Sequence, residues 1–264
     1  MLNEKNFRYK LIRDSLETRS FLKIIAGINN FDKEKVLKIA NAVRASKATA
    51  VDISAREDIV LAVRELLPET ALVVSSVKIE ELKRAMELGA DILELGNYEA
   101  LYEEGIYLSA EDVLNLAKDL VSIKDESVML SVTVPGHLNV AEQVRLARSL
   151  ESLGVEIVQT EGSLPADANA SASLGVLQKV MLTLANTIEL SKNLTKTFIM
   201  TASGISPDTA ALAITAGAHG VGVGKYINRL DSELEMLASI KRLQESLSII
   251  QIERTLTEQE LVLN

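Results

Sequence analysis

Short runs rich in Val, Ile and Leu alternate along this chain with longer stretches in which apolar residues recur every three or four positions. The short runs read as strands covered on both faces, and the long stretches as amphipathic helices. Eight such pairs occur. The strands are "FLKIIAG" from Phe21, "ATAVDIS" from Ala48, "ALVVSS" from Ala71, "DILELG" from Asp91, "VMLSVTV" from Val128, "VEIVQTE" from Val155, "TFIMTAS" from Thr197 and "HGVGVG" from His219. In "DKEKVLKIANAVRAS" the stripe is Val36, Ile39, Ala40 and Val43, with lysines opposite. In "AEQVRLARSLESLG" it is Val144, Leu146, Ala147 and Leu150, and Gly154 stands where a helix-ending glycine belongs.

The alternation also echoes itself. "ELGADILELG", "SLGVEIVQTEG" and "TAGAHGVGVG" each run from a helix end through a glycine into a strand, and "SKATAVDIS" is a copy without the glycine. Continuous strand–helix alternation implies a parallel sheet, and eight repeats imply closure. The expected fold is therefore an α/β (β/α)8 TIM barrel with an extra N-terminal helix and a C-terminal helical extension. An open doubly wound sheet is the rival, but "GINNFD" after the first strand carries no nucleotide-binding motif. The expected organisation is one domain over residues 1–264: a helix to residue 19 that caps the barrel floor, a barrel over 20–245, and an extension over 246–264. That last segment either lies on the barrel or joins a homodimer through the C-terminal helices.

Composition narrows the function. The 264 residues carry a net charge of −9 and only 3% aromatics, which argues against nucleic acid as a partner. No cysteine is present, so disulfides, thiolate nucleophiles and sulfur-ligated metals are excluded. No apolar run approaches the ~20 residues of a membrane span. The charged N-terminus does not look like a secretory signal.

In barrels of this type ligands bind at the carboxyl ends of the strands. Two loops there are long, over residues 97–108 and 162–174, and the second, "GSLPADANASASL", has the composition of a flexible cover. Charged residues within the short aliphatic strands stand out: Lys23, Asp52 and Glu94, with Glu161 closing the sixth. By strand parity Lys23 shares a face with Phe21 and Ile25, and Asp52 with Ser54. The set is either a structural ion-pair network or a general acid/base group, with Lys23 as an anion holder or carbonyl-activating amine. The sixth strand, the usual place for an imine-forming lysine, has none. His137, in the loop after the fifth strand, is either a solvated histidine or an acid/base. His219 lies on the floor side. Two histidines at opposite ends do not make a zinc site. Magnesium on Asp52, Glu94 or Glu161, and flavin mononucleotide, stay open.

"HGVGVGKYINRL" places Gly220, Gly222 and Gly224 at the period of a strand, which fits neither a P-loop nor a dinucleotide fingerprint. It reads as a strand with one face stripped to hydrogen. Ser203 and Gly204, after the seventh strand, and Gly224 and Lys225, after the eighth, are the candidate phosphate-binding residues. Ser206 is the expected N-cap of the next helix, with Pro207 at its first position. The stretch "TASGISPDTAALAITAGAHGVGVGKYINRL" resembles the phosphate-gripping end of ribulose-phosphate-binding barrels. It departs from them at Ser203, where a glycine is usual, and at Lys225-Tyr226, where small residues are.

"FLKIIAGINNFD", "VDISA", "ELGNYEALYEEG", "SVTVPGHL", "VQTEG", "TASGIS" and "GVGVGK" together resemble the hypothetical chloroplast reading frame 23 family of cyanobacteria and plastids. That resemblance implies an aldolase-type barrel and a cyanobacterial cytosol or plastid stroma, and it brings no activity. Two roles are expected: a lyase, isomerase or aldolase acting on a small phosphorylated metabolite, or a noncatalytic sensor of such a metabolite or regulatory interaction protein.

Overall fold

A computed structural model describes residues 2–96, 98–102, 104–162 and 172–262, with the backbone alone at 2–4, 99–100, 172–179 and 250–262. The chain opens with α1 (Leu2–Glu17) and β1 (Phe21–Gly27), then α2 (Lys33–Ser46), β2 (Ala50–Ser54), α3 (Glu57–Leu66), β3 (Ala71–Ser76), α4 (Ile79–Glu87) and β4 (Ile92–Leu95). A short α5 (Glu99–Tyr102) precedes α6 (Ala110–Ile123), β5 (Met129–Val134), α7 (Val140–Leu153), β6 (Ile157–Thr160) and α8 (Ala172–Asn193). The last elements are β7 (Phe198–Thr201), α9 (Ala210–Thr215), β8 (Gly220–Val223), α10 (Lys225–Asn228) and α11 (Glu233–Val262). The eight strands form a closed parallel barrel in chain order, β8 pairing back onto β1.

Strand parity divides the core in two. Outward residues such as Leu22, Ile24, Val51, Ile53, Leu72 and Val74 pack against the helix stripes. Inward residues at the strand starts, Phe21, Ala50, Ala71, Ile92, Met129 and Ile157, form a separate apolar cluster with Ile12 and Leu16 of α1. So α1 closes the floor of the barrel. Further along the inward face the side chains turn polar: Lys23, Asp52, Ser54, Ser75, Glu94, Ser131, Thr133 and Gln159, all buried. The interior thus runs from hydrocarbon at the floor to charge toward the mouth.

The sequence echo has a structural cause. Gly89, Gly154 and Gly217 follow α4, α7 and α9 with φ of 97°, 91° and 110°. After each, the next amide closes onto the carbonyl five residues back: Ala90 onto Ala85, Val155 onto Leu150 and Ala218 onto Ala213, at 3.0–3.1 Å. This left-handed ending turns the chain from helix into strand. The copy without glycine does the same, with Lys47 at φ 59° and Ala48 bonded to Val43 at 3.3 Å.

One helix start differs from expectation. After β7 the helix begins at Ala210, with Thr209 as N-cap, and not at Pro207. The Ser206 amide donates to the Thr209 hydroxyl at 2.9 Å, and the Ser206 carbonyl accepts from the amides of Thr209 and Ala210. Ser206 therefore opens a turn, and its side chain does not cap the helix. At the C-terminus, Met236, Ile240, Leu243 and Leu247 of α11 are buried, and Gln244 donates to the Ser46 carbonyl at 3.2 Å. This part of α11 lies on the barrel. The 163–171 stretch of the expected cover lies outside the described residues.

Candidate functional site at the barrel mouth

The inward polar residues meet. The Lys23 ammonium contacts a Glu94 carboxylate oxygen directly and stands 3.9 Å from Asp52. Ser75 donates to Asp52, and Gln159 donates to Glu94 at 2.6 Å, with Thr133 at 3.4 Å from the same oxygen. Lys23 is 2% exposed, and Asp52 and Glu94 are 0%. One ammonium therefore serves two carboxylates in a sealed interior, and charges so placed persist only because they are paired and hydrogen-bonded. Ser131, level with Glu94 on the neighbouring strand, has a buried hydroxyl with no hydrogen-bond partner among the described residues.

The glycine period of β8 now has its explanation. Lys23 is paired in register with Gly222, so the glycine face looks inward. A Cβ at Gly220 would stand 2.6 Å from the Phe21 carbonyl oxygen, and one at Gly222 would stand 3.0 Å from Ile25. At Gly224 the nearest atom would be 3.5 Å away, which is ordinary contact. Packing against backbone therefore requires Gly220, Gly222 is tight against the flexible end of Ile25, and Gly224 is not confined.

Gly224 precedes the four-residue α10, whose first residue, Lys225, is exposed. Asn228 ties this corner to β1 by donating to the carbonyls of Ile25 and Ala26 at 3.0 and 3.3 Å. After β7, Ser203 and Gly204 are both left-handed, at φ 77° and 74°. Ser203 thus adopts a conformation that favours glycine, at a cost of about 1–2 kcal/mol. Strain of this kind clusters at ligand sites.

Across the mouth a second group assembles from the loops after β4, β5 and β6. Glu161, 5% exposed, accepts from the Tyr102 hydroxyl at 3.0 Å, and the Gly136 amide points at the same oxygen from 3.4 Å. The Tyr102 hydroxyl is also 3.1 Å from Nδ1 of His137. Tyr102 stacks on Tyr107 with centroids 5.0 Å apart, and His137 stands edge-on to both rings. Burial holds the His137 pKa below its ordinary value of 6.5, while Glu142 pulls the other way. Tyr98 is fully buried, and its phenol is pushed well above 10, by burial first and then by Glu161, Tyr102 and Glu94.

The candidate residues therefore fall into three sets: Lys23, Asp52 and Glu94 in the sealed interior, Glu161 and His137 at the rim after β6 and β5, and Ser203, Gly204, Gly224 and Lys225 after the neighbouring β7 and β8. His219 is on the floor side, where its Nδ1 accepts from the Ile199 amide at 3.0 Å. Among the described residues no group of three or more His, Asp or Glu side chains is placed to hold a metal. Two shallow depressions, of about 380 and 410 Å³, lie on the outer wall between α6 and α7.

Sequence reading missed Tyr102, Tyr107 and Gln159. The loop "NYEALYEEGIYL" holds three of the five tyrosines in the chain, and Gln159 shares the inward parity of Ile157 and Glu161. Both signals were present.

Residues 6–253 match the family described as "Protein of unknown function (DUF561)". The chain belongs to this family. It is 34% identical over 237 residues to "Uncharacterized protein ycf23" of Porphyra purpurea, covering 90% of this chain and 88% of that one. The protein of the same name from Cyanophora paradoxa is 33% identical over 226 residues, covering 86% and 92%. Among solved structures it is similar to 3-hexulose-6-phosphate synthase, with a TM-score of 0.62, 15% identity and coverage of 85% and 98%. Thiamine phosphate pyrophosphorylase from Pyrococcus furiosus matches with a TM-score of 0.58, 15% identity and coverage of 89% and 98%. Identity this low shows a shared fold. Among the described residues no helix of this DUF561 protein is long and apolar enough to cross a membrane.

Proposed function

We propose that this chain binds a small phosphorylated metabolite at the carboxyl ends of its strands and acts on it as a lyase, isomerase or aldolase-type enzyme. The observation that carries the reading is the register of β1 on β8. It sets the buried Lys23 level with Gly222, and Gly224 follows two residues on, ~7 Å nearer the mouth. A charged interior thus lies one pleat below a strand end with an open glycine and an exposed lysine. Backbone amides around Ser203, Gly204 and Gly224, with Lys225, hold the phosphate. Glu161 and His137 move protons at the rim, and Lys23, Asp52 and Glu94 supply the field beneath. The barrels named above, thiamine phosphate pyrophosphorylase and 3-hexulose-6-phosphate synthase, are named for phosphorylated compounds and support the substrate class by analogy. A plastid stroma or cyanobacterial cytosol fits the chloroplast-reading-frame designation of the relatives.

The test is thermal stability against inorganic phosphate, sugar phosphates, phosphorylated aromatics and flavin mononucleotide. A ligand at about 100 times its Kd adds roughly 2.7 kcal/mol, a rise of ~5–10 °C at this size. The rise should vanish in Lys225→Ala. No rise with any phosphorylated compound would sink the proposal. The near-complete burial of Lys23, Asp52 and Glu94 favours a second reading, a noncatalytic metabolite sensor. Under that reading Asp52→Asn and Glu94→Gln leave the thermal response to the ligand intact, and no turnover accompanies binding.

A further inference from the structure

Glu161 is joined to the rim of the mouth by a chain of titratable groups: its Oε2 to the Tyr102 hydroxyl at 3.0 Å, and that hydroxyl to His137 Nδ1 at 3.1 Å. A phenol has a single proton, an ionised carboxylate only accepts, and a neutral imidazole has one N–H and one lone pair. With Glu161 ionised, Tyr102 must donate to it, and His137 must donate from Nδ1, which leaves Nε2 as a bare acceptor. With Glu161 protonated, every bond reverses: the carboxyl donates to the Tyr102 oxygen, the phenol donates to Nδ1, and Nε2 bears the proton. The two arrangements differ by one proton.

We infer that His137, Tyr102 and Glu161 form a proton wire that loads and unloads Glu161 from the barrel mouth. One passage balances as follows. Nε2 of His137 takes a proton from a donor at the mouth, the Nδ1 proton passes to the Tyr102 oxygen, and the original phenol proton passes to Glu161 Oε2. No charge is left on the phenol or the imidazole. The end product is a neutral carboxyl at the end of β6 and an imidazole in its other tautomer.

The surroundings favour the wire over a charged imidazole. Burial disfavours imidazolium at His137. The stack of Tyr107 on Tyr102 and the edge contacts of His137 with both rings fix the geometry. Glu142 of α7 is the charged group acting on His137 from outside, and it opposes the burial effect. Beneath the wire, Tyr98 feels Glu161 and Glu94 together, and burial keeps its phenol neutral. Tyr102 thereby becomes a proton carrier, and Glu161 the carboxylate suited to add or remove a proton on a bound molecule.

The inference deepens the proposed site, but its test needs no ligand, so its failure is distinct from a failure of phosphate binding. In 15N- and 13C-labelled protein, the imidazole nitrogens and the Glu161 carboxyl carbon are followed by NMR from about pH 9 to 4. The chain has two histidines, and His219→Gln assigns them. The wire predicts Nδ1–H at His137 while Glu161 is ionised. As pH falls, the switch to Nε2–H and the protonation of Glu161 should share one midpoint. Tyr102→Phe keeps the ring and its stack and should separate the two transitions. Three results would each overturn the wire: Nε2–H at His137 with Glu161 ionised, imidazolium forming before Glu161 takes a proton, or unchanged coupling in Tyr102→Phe. The wild-type spectra decide the first two without any variant.

Discussion

Two buried ion networks occupy opposite ends of this barrel, and they are built differently. At the floor, Asp91 takes Arg8 at 2.7 Å and Arg64 at 2.8 Å. That network is threaded into the backbone. Asp91 also accepts from the Leu72 amide at 2.9 Å, Arg8 donates to the Pro68 carbonyl at 3.0 Å, and Arg64 donates to the Thr70 carbonyl at 2.7 Å and also contacts that of Leu67. In the interior, Asp52 and Glu94 accept from side chains, those of Ser75, Gln159 and Thr133. The floor has two cations for one carboxylate, and the interior has the inverse ratio. A network that satisfies backbone groups stabilises the loops it ties. A sealed cluster of charged side chains is often no more stabilising than well-packed neutral residues of the same volume.

The sharpest way to break this comparison is to disarm both networks. Asp91→Ala removes the carboxylate partner of the buried Arg8, the half-buried Arg64 and the Leu72 amide, and should cost about 3–5 kcal/mol in chemical denaturation. The triple variant Lys23→Met, Asp52→Asn, Glu94→Gln removes every charge in the interior cluster while keeping volume, and should stay within ~1–2 kcal/mol of the wild type. Equal losses at both ends would end the distinction.

The β8 glycines give the same contrast on a smaller scale. Gly220→Ala pushes a methyl group into the Phe21 carbonyl at the floor and should cost about 1–3 kcal/mol. Gly224→Ala, at φ −110° with its nearest neighbour at 3.5 Å, should change stability by less than ~0.5 kcal/mol. Under the proposed function it should still blunt the thermal response to phosphate.

Lys47 tests left-handed strain away from either network. Lys47→Gly restores the glycine of the other three helix endings and should raise stability by ~0.5–1 kcal/mol, with the site untouched. The smallest effect is at the rim. Because the folded His137 pKa lies below its unfolded value, the folded state binds fewer protons there than the unfolded state near pH 6. That contribution to stability is present above about pH 6.5 and fades as pH falls through the folded pKa. His137→Gln should therefore flatten the acid side of the stability curve, read as Tm between pH 7 and 5.

Much of this protein was determined by local pattern. Apolar runs with helical stretches between them specified eight strands in order, because a strand covered on both faces has little choice but hydrocarbon. Parity alone put Lys23 on one face with Phe21 and Ile25, and Asp52 on one face with Ser54. The helix-ending glycines Gly89, Gly154 and Gly217 marked where α4, α7 and α9 turn back into the sheet. Closure of the barrel decided the rest. Lys23, Asp52 and Glu94 stand 29 and 42 residues apart along the chain, and only the register of neighbouring strands brings their heads together and seals them from water. Whether Ser206 would cap a helix depended on where the Thr209 hydroxyl pointed. Tyr102 joined Glu161 and His137 because three loops from separate strands end at one rim. Local sequence carries periodicity and turn chemistry, but contact between residues distant in the chain is a property of the packed barrel.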